Sequence, residues 1–319
     1  MSELTGKWSE ADIPDQSGRT VLVTGANSGL GLRTAEVLAG KGAKLLLACR
    51  SPERGQEARR TVSAAATGPA PELVRLDLAD LASVREAAAA VRELTGDTLA
   101  VLVNNAGRMA TPKGSTKDGF ETQFGTNHLG HAALTWLLMP ALRGGSAARV
   151  VTLSSVAANG GRLDFADPNF EHRRYNPASA YGQSKLANQV FALELDRRLR
   201  AAGDDVISVA AHPGYSSTGL GSNMARSYGG TLMKAAVGAL NKIGEVLIAQ
   251  NARQGALPQL YAATAEGVEG GDYIGPRGPG GVRGAPTKVR PLGPARNEGY
   301  GGALWEITAK LTSVTPDPA

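Results

Sequence analysis

Short apolar runs alternate with longer stretches of helical periodicity along most of the chain. Residues 20–23, 44–48, 73–76, 99–103, 149–153, 206–210 and 272–274 are the strand-like runs. Between them, residues 30–38, 52–66 and 81–94, and a stretch ending near Arg143, carry apolar positions at helical spacing. Strands that alternate with helices need crossover connections, which give a parallel sheet covered on both faces. The unbroken apolar character of the strands agrees with burial on both sides. The predicted fold is α/β: a single doubly wound Rossmann-type domain with a mostly or fully parallel seven-stranded sheet. Its core is expected over about residues 19–278. No domain-scale linker interrupts the pattern before Gly275, where a Gly/Pro-rich basic segment begins; a solvated loop is expected, with cover for one end of the sheet or a partner contact as alternatives.

Composition narrows the function. The 319 residues are 42% hydrophobic, 20% charged and 5% aromatic, with a formal net charge of +5. A basic stripe with interleaved aromatics, as nucleic-acid binding favours, is missing. Cys49 is the sole cysteine, so neither an internal disulfide nor a cysteine metal cluster can form. His128 and His131 lie three apart without a supporting acid cluster, and no metal site is expected. The N-terminus has no apolar secretion segment and no run is long enough for a membrane span, which predicts a soluble cytoplasmic protein without a membrane partner.

Directly after the first strand stands Thr24-Gly25-Ala26-Asn27-Ser28-Gly29-Leu30-Gly31, followed by a helix. Glycines there let a pyrophosphate approach the backbone, and the helix N-terminus offers free N–H donors. At the end of the second strand, an acid would hold the ribose 2′-hydroxyl of NAD. This chain has Ala48-Cys49-Arg50-Ser51, in which a guanidinium suited to a phosphate replaces the acid. The cofactor predicted is therefore NADP(H).

Tyr181 and Lys185, four apart, share a helix face. A nearby ammonium stabilises a phenolate, so Tyr181 is the candidate general acid/base. Ser155, just past the fifth strand, is placed to stabilise negative charge on a carbonyl oxygen. Asn104-Asn105-Ala106-Gly107 follows the fourth strand, and Asn127 puts an amide inside the next helix. An amide there could hold a water that carries protons to Lys185.

These motifs resemble the short-chain dehydrogenase/reductase superfamily, in its non-extended branch. The resemblance implies a catalytic tetrad of Asn127, Ser155, Tyr181 and Lys185, transfer of the pro-S hydride, and a second task for Lys185 at the nicotinamide ribose. It implies that Asp77 and Leu78 lie near the adenine, and Asn104 near the adenosine ribose. Ala106 and Gly107 would join the cofactor site, and Pro213, Gly214 and Thr218 would seat the nicotinamide and its phosphate.

The run from Asp118 through Gly130, and the long segment between Ser155 and Tyr181, resemble the retinol dehydrogenase and protochlorophyllide reductase-like group. No N-terminal anchor like that of membrane-bound retinoid enzymes is expected, and the cysteine set expected of a protochlorophyllide reductase is missing, so neither substrate is carried over. Residues 216–249 are expected to form a helical flap over a moderately apolar carbonyl or alcohol substrate. Reduction of an activated C=C bond, or a non-catalytic NADP(H)-binding scaffold, remain alternatives. The helices near His128 and Tyr181 resemble those used in family dimers, which leaves a homo-oligomer open.

Overall fold

The computed structural model describes residues 8–215 and 252–319. Seven strands run parallel: β1 (Thr20–Thr24), β2 (Lys44–Cys49), β3 (Glu72–Arg75), β4 (Val101–Asn104), β5 (Arg149–Leu153), β6 (Ile207–Ala211) and β7 (Tyr273–Pro276). An eighth, β8 (Pro286–Lys288), pairs antiparallel with β7. The order is β3-β2-β1-β4-β5-β6-β7-β8. The direction of strand progression reverses between β1 and β4. Their carboxyl ends therefore open a crevice, the place where ligands bind in such sheets.

Alternate residues of each strand enter opposite cores. Leu22, Leu46, Leu102 and Val150 face α3 (Leu81–Thr95), α5 (Gly130–Gly144) and α6 (Pro177–Ala201). Val21, Val23, Leu45, Leu47 and Val103 face α1 (Gly29–Ala39), α2 (Pro52–Ala65) and α7 (Ala252–Thr264). Two-sided burial of this kind explains why the strands read as unbroken apolar runs. Helix starts follow local chemistry: Ser51, Asp80 and Asn176 cap α2, α3 and α6 through side-chain oxygens that accept first-turn N–H groups.

The segment beyond Gly275 differs from the expected solvated loop. Its first part supplies β8, and its last part forms α8 (Glu298–Thr312), capped by Asn297. α8 packs on α5 and α6. Trp305 stacks on Phe191 with ring centroids 5.6 Å apart, meets Trp136 edge-on at 4.8 Å, and lies beneath the Arg198 guanidinium. The Gly/Pro-rich stretch ahead of it masked this amphipathic helix in the sequence.

No helix among the described residues is long and apolar enough to cross a membrane. The expected flap at 216–249, with Thr218, lies outside the described residues.

Trp305 is 3% exposed, so Trp305→Ala should leave a cavity between α8 and α6. The expected loss is about 3–5 kcal/mol of unfolding free energy, read by urea denaturation. A change within experimental error would show that α8 contributes little to the fold.

Candidate active site

The cleft at the carboxyl edge begins at the turn after β1. Gly25, Asn27, Ser28, Gly29, Leu30 and Gly31 line it, together with Arg50 from the end of β2 and Asp77 and Leu78 from beyond β3. α1 differs from the capped helices: Ser28 occupies its N-cap position and makes no side-chain capping bond. Its first-turn donors thus face the cleft without a side-chain acceptor of their own. Gly31 is required by close approach. A Cβ there would come within 2.5 Å of both the Gly25 carbonyl oxygen and the Asn105 side chain.

Thr24 lashes the turn after β4 to β1. Its hydroxyl accepts N–H bonds from Asn105 at 2.9 Å and Ala106 at 3.0 Å, while Asn105 Nδ2 donates to the Thr24 carbonyl at 2.7 Å. Ala106 and Gly107 line the cleft, as does Asn105. Asn104, expected there, turns its side chain into the interior instead. Its Nδ2 donates to Thr135 Oγ1 at 2.9 Å, and the residue is fully buried. Strand alternation accounts for this, since Asn104 is the last residue of β4 and its neighbour takes the opposite face.

Asn127 lies in a π-helical turn, Gly125–Leu129, between the short α4 (Thr122–Phe124) and α5. Such turns recur at functional sites. The Asn127 amide is engaged on both ends: Oδ1 accepts from Arg108 N at 2.8 Å, and Nδ2 donates to Arg108 O and Ser184 Oγ, each at 2.9 Å. Its carbonyl oxygen meets His131 Nδ1 at 2.9 Å, and His131 Nε2 meets Thr24 Oγ1, also at 2.9 Å. A carbonyl can only accept, so Nδ1 carries the ring proton. Burial holds His131 down at about 4, hence neutral, and Nε2 accepts the Thr24 hydroxyl proton. One histidine therefore links the first strand to Asn127.

Tyr181 and Lys185 project from α6 into the same cleft, and Pro213 closes its far side after β6. Gly214, next to Pro213, has φ +72° and donates its N–H to His212 Nδ1 at 3.3 Å. Ser155 caps the 3-10 turn Val156–Gly160 by accepting from Ala157 N at 3.2 Å, and it shares a side-chain hydrogen bond with Tyr181. Lys185 Nζ donates to the Leu153 carbonyl at 2.9 Å and stands 5.9 Å from the centre of the Tyr181 ring.

The electrostatics differ from the sequence expectation. Burial raises the Tyr181 hydroxyl above its ordinary value, and the Ser155 bond only partly opposes this. Lys185 is itself pushed down to about 8 by burial. It stands 5.9 Å from the ring centre and is bound to a carbonyl, which leaves burial the largest influence on the phenol. Tyr181 is consequently protonated, the form in which a phenol has a proton to give.

Sequence reasoning missed Arg108, Met109 and Thr126, which also line the cleft. Arg108 was findable, because it directly follows the turn after β4. Among the described residues no group of three metal-ligating side chains occurs. His128 is instead buried against Thr308 of α8, with Nε2 2.8 Å from its hydroxyl.

With this geometry in place, the relatives are informative. The short chain dehydrogenase family model matches residues 19–229, and the chain belongs to that family. It is therefore an oxidoreductase that uses a nicotinamide cofactor. It is similar to human retinol dehydrogenase 13, with 39% identity over 306 residues, covering 96% of this chain and 87% of the relative. A crystal structure of an uncharacterized protein from Mycobacterium paratuberculosis is 41% identical, covers 97% of this chain and 98% of that one, and superposes with a TM-score of 0.77. Pseudomonas aeruginosa RhlG, solved as an active-site complex with NADP, is 25% identical over 81% of this chain and 94% of that one, with a TM-score of 0.61.

Burial holds His128 at about 3, and His131 and His212 at about 4, well below the ordinary histidine value. Between about pH 4 and 6.5 the unfolded chain then binds more protons than the folded one, so stability should fall as pH drops through that window. The slope expected is up to roughly 1.4 kcal/mol per pH unit for each histidine. Urea unfolding at a series of pH values checks this, and a flat profile would contradict the burial of neutral imidazoles.

Proposed function

We propose that the chain is a single catalytic domain that uses NADP(H) to interconvert a moderately apolar carbonyl compound and its alcohol. The observation that carries this reading is one continuous cleft holding the glycine turn and Arg50 at one end and Tyr181 with Lys185 at the other. The residues fit a phosphorylated dinucleotide: an uncapped helix N-terminus, a turn with no room for a Cβ at Gly31, and a guanidinium where NAD would need an acid. The RhlG complex with NADP supports the phosphorylated cofactor. The likeness to a retinol dehydrogenase supports an apolar alcohol or aldehyde as substrate.

The bound cofactor supplies or removes the hydride at the substrate carbon. In reduction, the Tyr181 hydroxyl transfers its proton to the substrate oxygen as negative charge develops there. Ser155 accepts the Ala157 N–H and keeps its own hydroxyl proton to donate to that oxygen or to Tyr181. Lys185 places a positive charge behind the Tyr181 ring, which favours the phenolate left after proton transfer. Asn127 serves as a positioning residue, since its amide is spent on Arg108 and Ser184.

Two measurements test the reading. Tyr181→Phe should lower turnover of an apolar aldehyde such as retinaldehyde by ~10²–10⁴-fold while NADPH affinity stays near that of the parent protein. Near-normal turnover would require a different proton donor. In paired fluorescence titrations, Arg50→Asp should shift binding from NADPH toward NADH; unchanged selectivity would remove Arg50 from the cofactor site.

A further inference from the structure

Arg50 is not alone at the adenosine end of the cleft. Arg108, one residue past Gly107, lines the same wall together with Asp77. Its backbone is fixed from both sides by the Asn127 amide, at 2.8 Å to its N–H and 2.9 Å to its carbonyl. The side chain is half-buried, and among the described residues no carboxylate lies within ion-pair distance of it. Arg50, Asp77 and Arg108 all line this cleft, where Arg50 repels the Arg108 guanidinium and Asp77 attracts it. Asp77 is already partly committed, with Oδ1 accepting the Ala79 N–H at 3.0 Å.

Two like charges brought together, one of them half-buried, cost free energy that an anion between them would relieve. A guanidinium pair suits a dianionic phosphate monoester, which can accept several planar, charge-assisted bonds. A ribose 2′-hydroxyl offers no such charge. We infer that Arg108 is a second specificity-determining residue, which closes with Arg50 on the 2′-phosphate of the adenosine ribose. This inference rests on the NADP(H) reading above. It adds that discrimination against NADH comes from two loops, after β2 and after β4. The second of these is the loop that Asn127 holds.

The test is fluorescence titration of the parent protein, Arg108→Gln and Arg50→Gln with NADPH and NADH. Calorimetry with adenosine 2′,5′-bisphosphate and adenosine 5′-monophosphate accompanies it. Because Asn127 binds the Arg108 backbone, the substitution leaves those bonds available, and an unchanged melting temperature verifies this. Arg108→Gln should weaken NADPH and the bisphosphate by about 10- to 100-fold, as loss of a charged hydrogen-bond donor implies, and leave NADH and the monophosphate unchanged. Equal weakening of all four ligands would assign Arg108 to the shared pyrophosphate region and overturn the inference. So would full retention of NADPH preference in Arg108→Gln. A parent protein that prefers NADH would overturn the NADP(H) reading itself, and with it the inference. Arg108→Lys should recover part of the affinity by restoring charge without the planar fork.

Discussion

The buried amide of Asn127 is the joint on which the candidate site depends. Its three hydrogen bonds tie the backbone of the loop after β4 to Ser184 on α6, the neighbour of Lys185. The loop is held in turn to β1 by the Thr24 hydroxyl, and His131 closes the circuit back to the Asn127 carbonyl. Elements remote in sequence thus share one connected set of polar contacts beneath the cleft. Such a network is stable because its members are paired; an unpaired donor or acceptor at this depth would cost about 1–3 kcal/mol. Gly107 sits against it, where a Cβ would lie 3.3 Å from Asn127 Oδ1 and 3.5 Å from Lys185 Nζ. Backbone, amide and ammonium are close-packed here, which leaves the floor of the cleft little room for a side chain at Gly107.

The charge balance of the cleft follows from the same closeness. Lys185 has a backbone carbonyl for a partner, and burial weakens its hold on the proton. Arg108 and Arg50 line the same cleft, and each repels the other. An anionic ligand bearing phosphates would reduce these penalties, so the electrostatic cost built into the protein becomes affinity for the right partner. Tyr181, by contrast, stays neutral through burial, which keeps the reactive end from adding a competing negative charge.

Much of this was legible in the sequence. The seven parallel strands lie where apolar runs stand between helical patterns, because two-sided burial leaves few polar positions to blur the signal. Tyr181, Lys185 and the glycine turn were marked by spacing. Asn104 shows where such reading stops: two adjacent asparagines look alike in sequence, and only strand pleating decides which one faces the cleft. Arg108 was passed over because a lone arginine carries no pattern of its own, and only its place directly after the turn marks it. α8 escaped notice since the glycines and prolines before it dominate local composition, while its partners, Trp136, Phe191 and Arg198, are distant along the chain.

α8 also reaches beyond its own packing. Tyr300 both accepts from and donates to the backbone of Leu163, at 3.2 Å each, and so pins the insertion between Ser155 and Tyr181. Thr308 meets His128, the neighbour of Asn127. This helix leaves the ribosome after all eight described strands have been made. The insertion between Ser155 and Tyr181 therefore has to wait for the Tyr300 contacts until translation has passed this helix. Synthesis that stops short would leave Trp136 and Phe191 without Trp305 against them, apolar surface offered to chaperones and proteases.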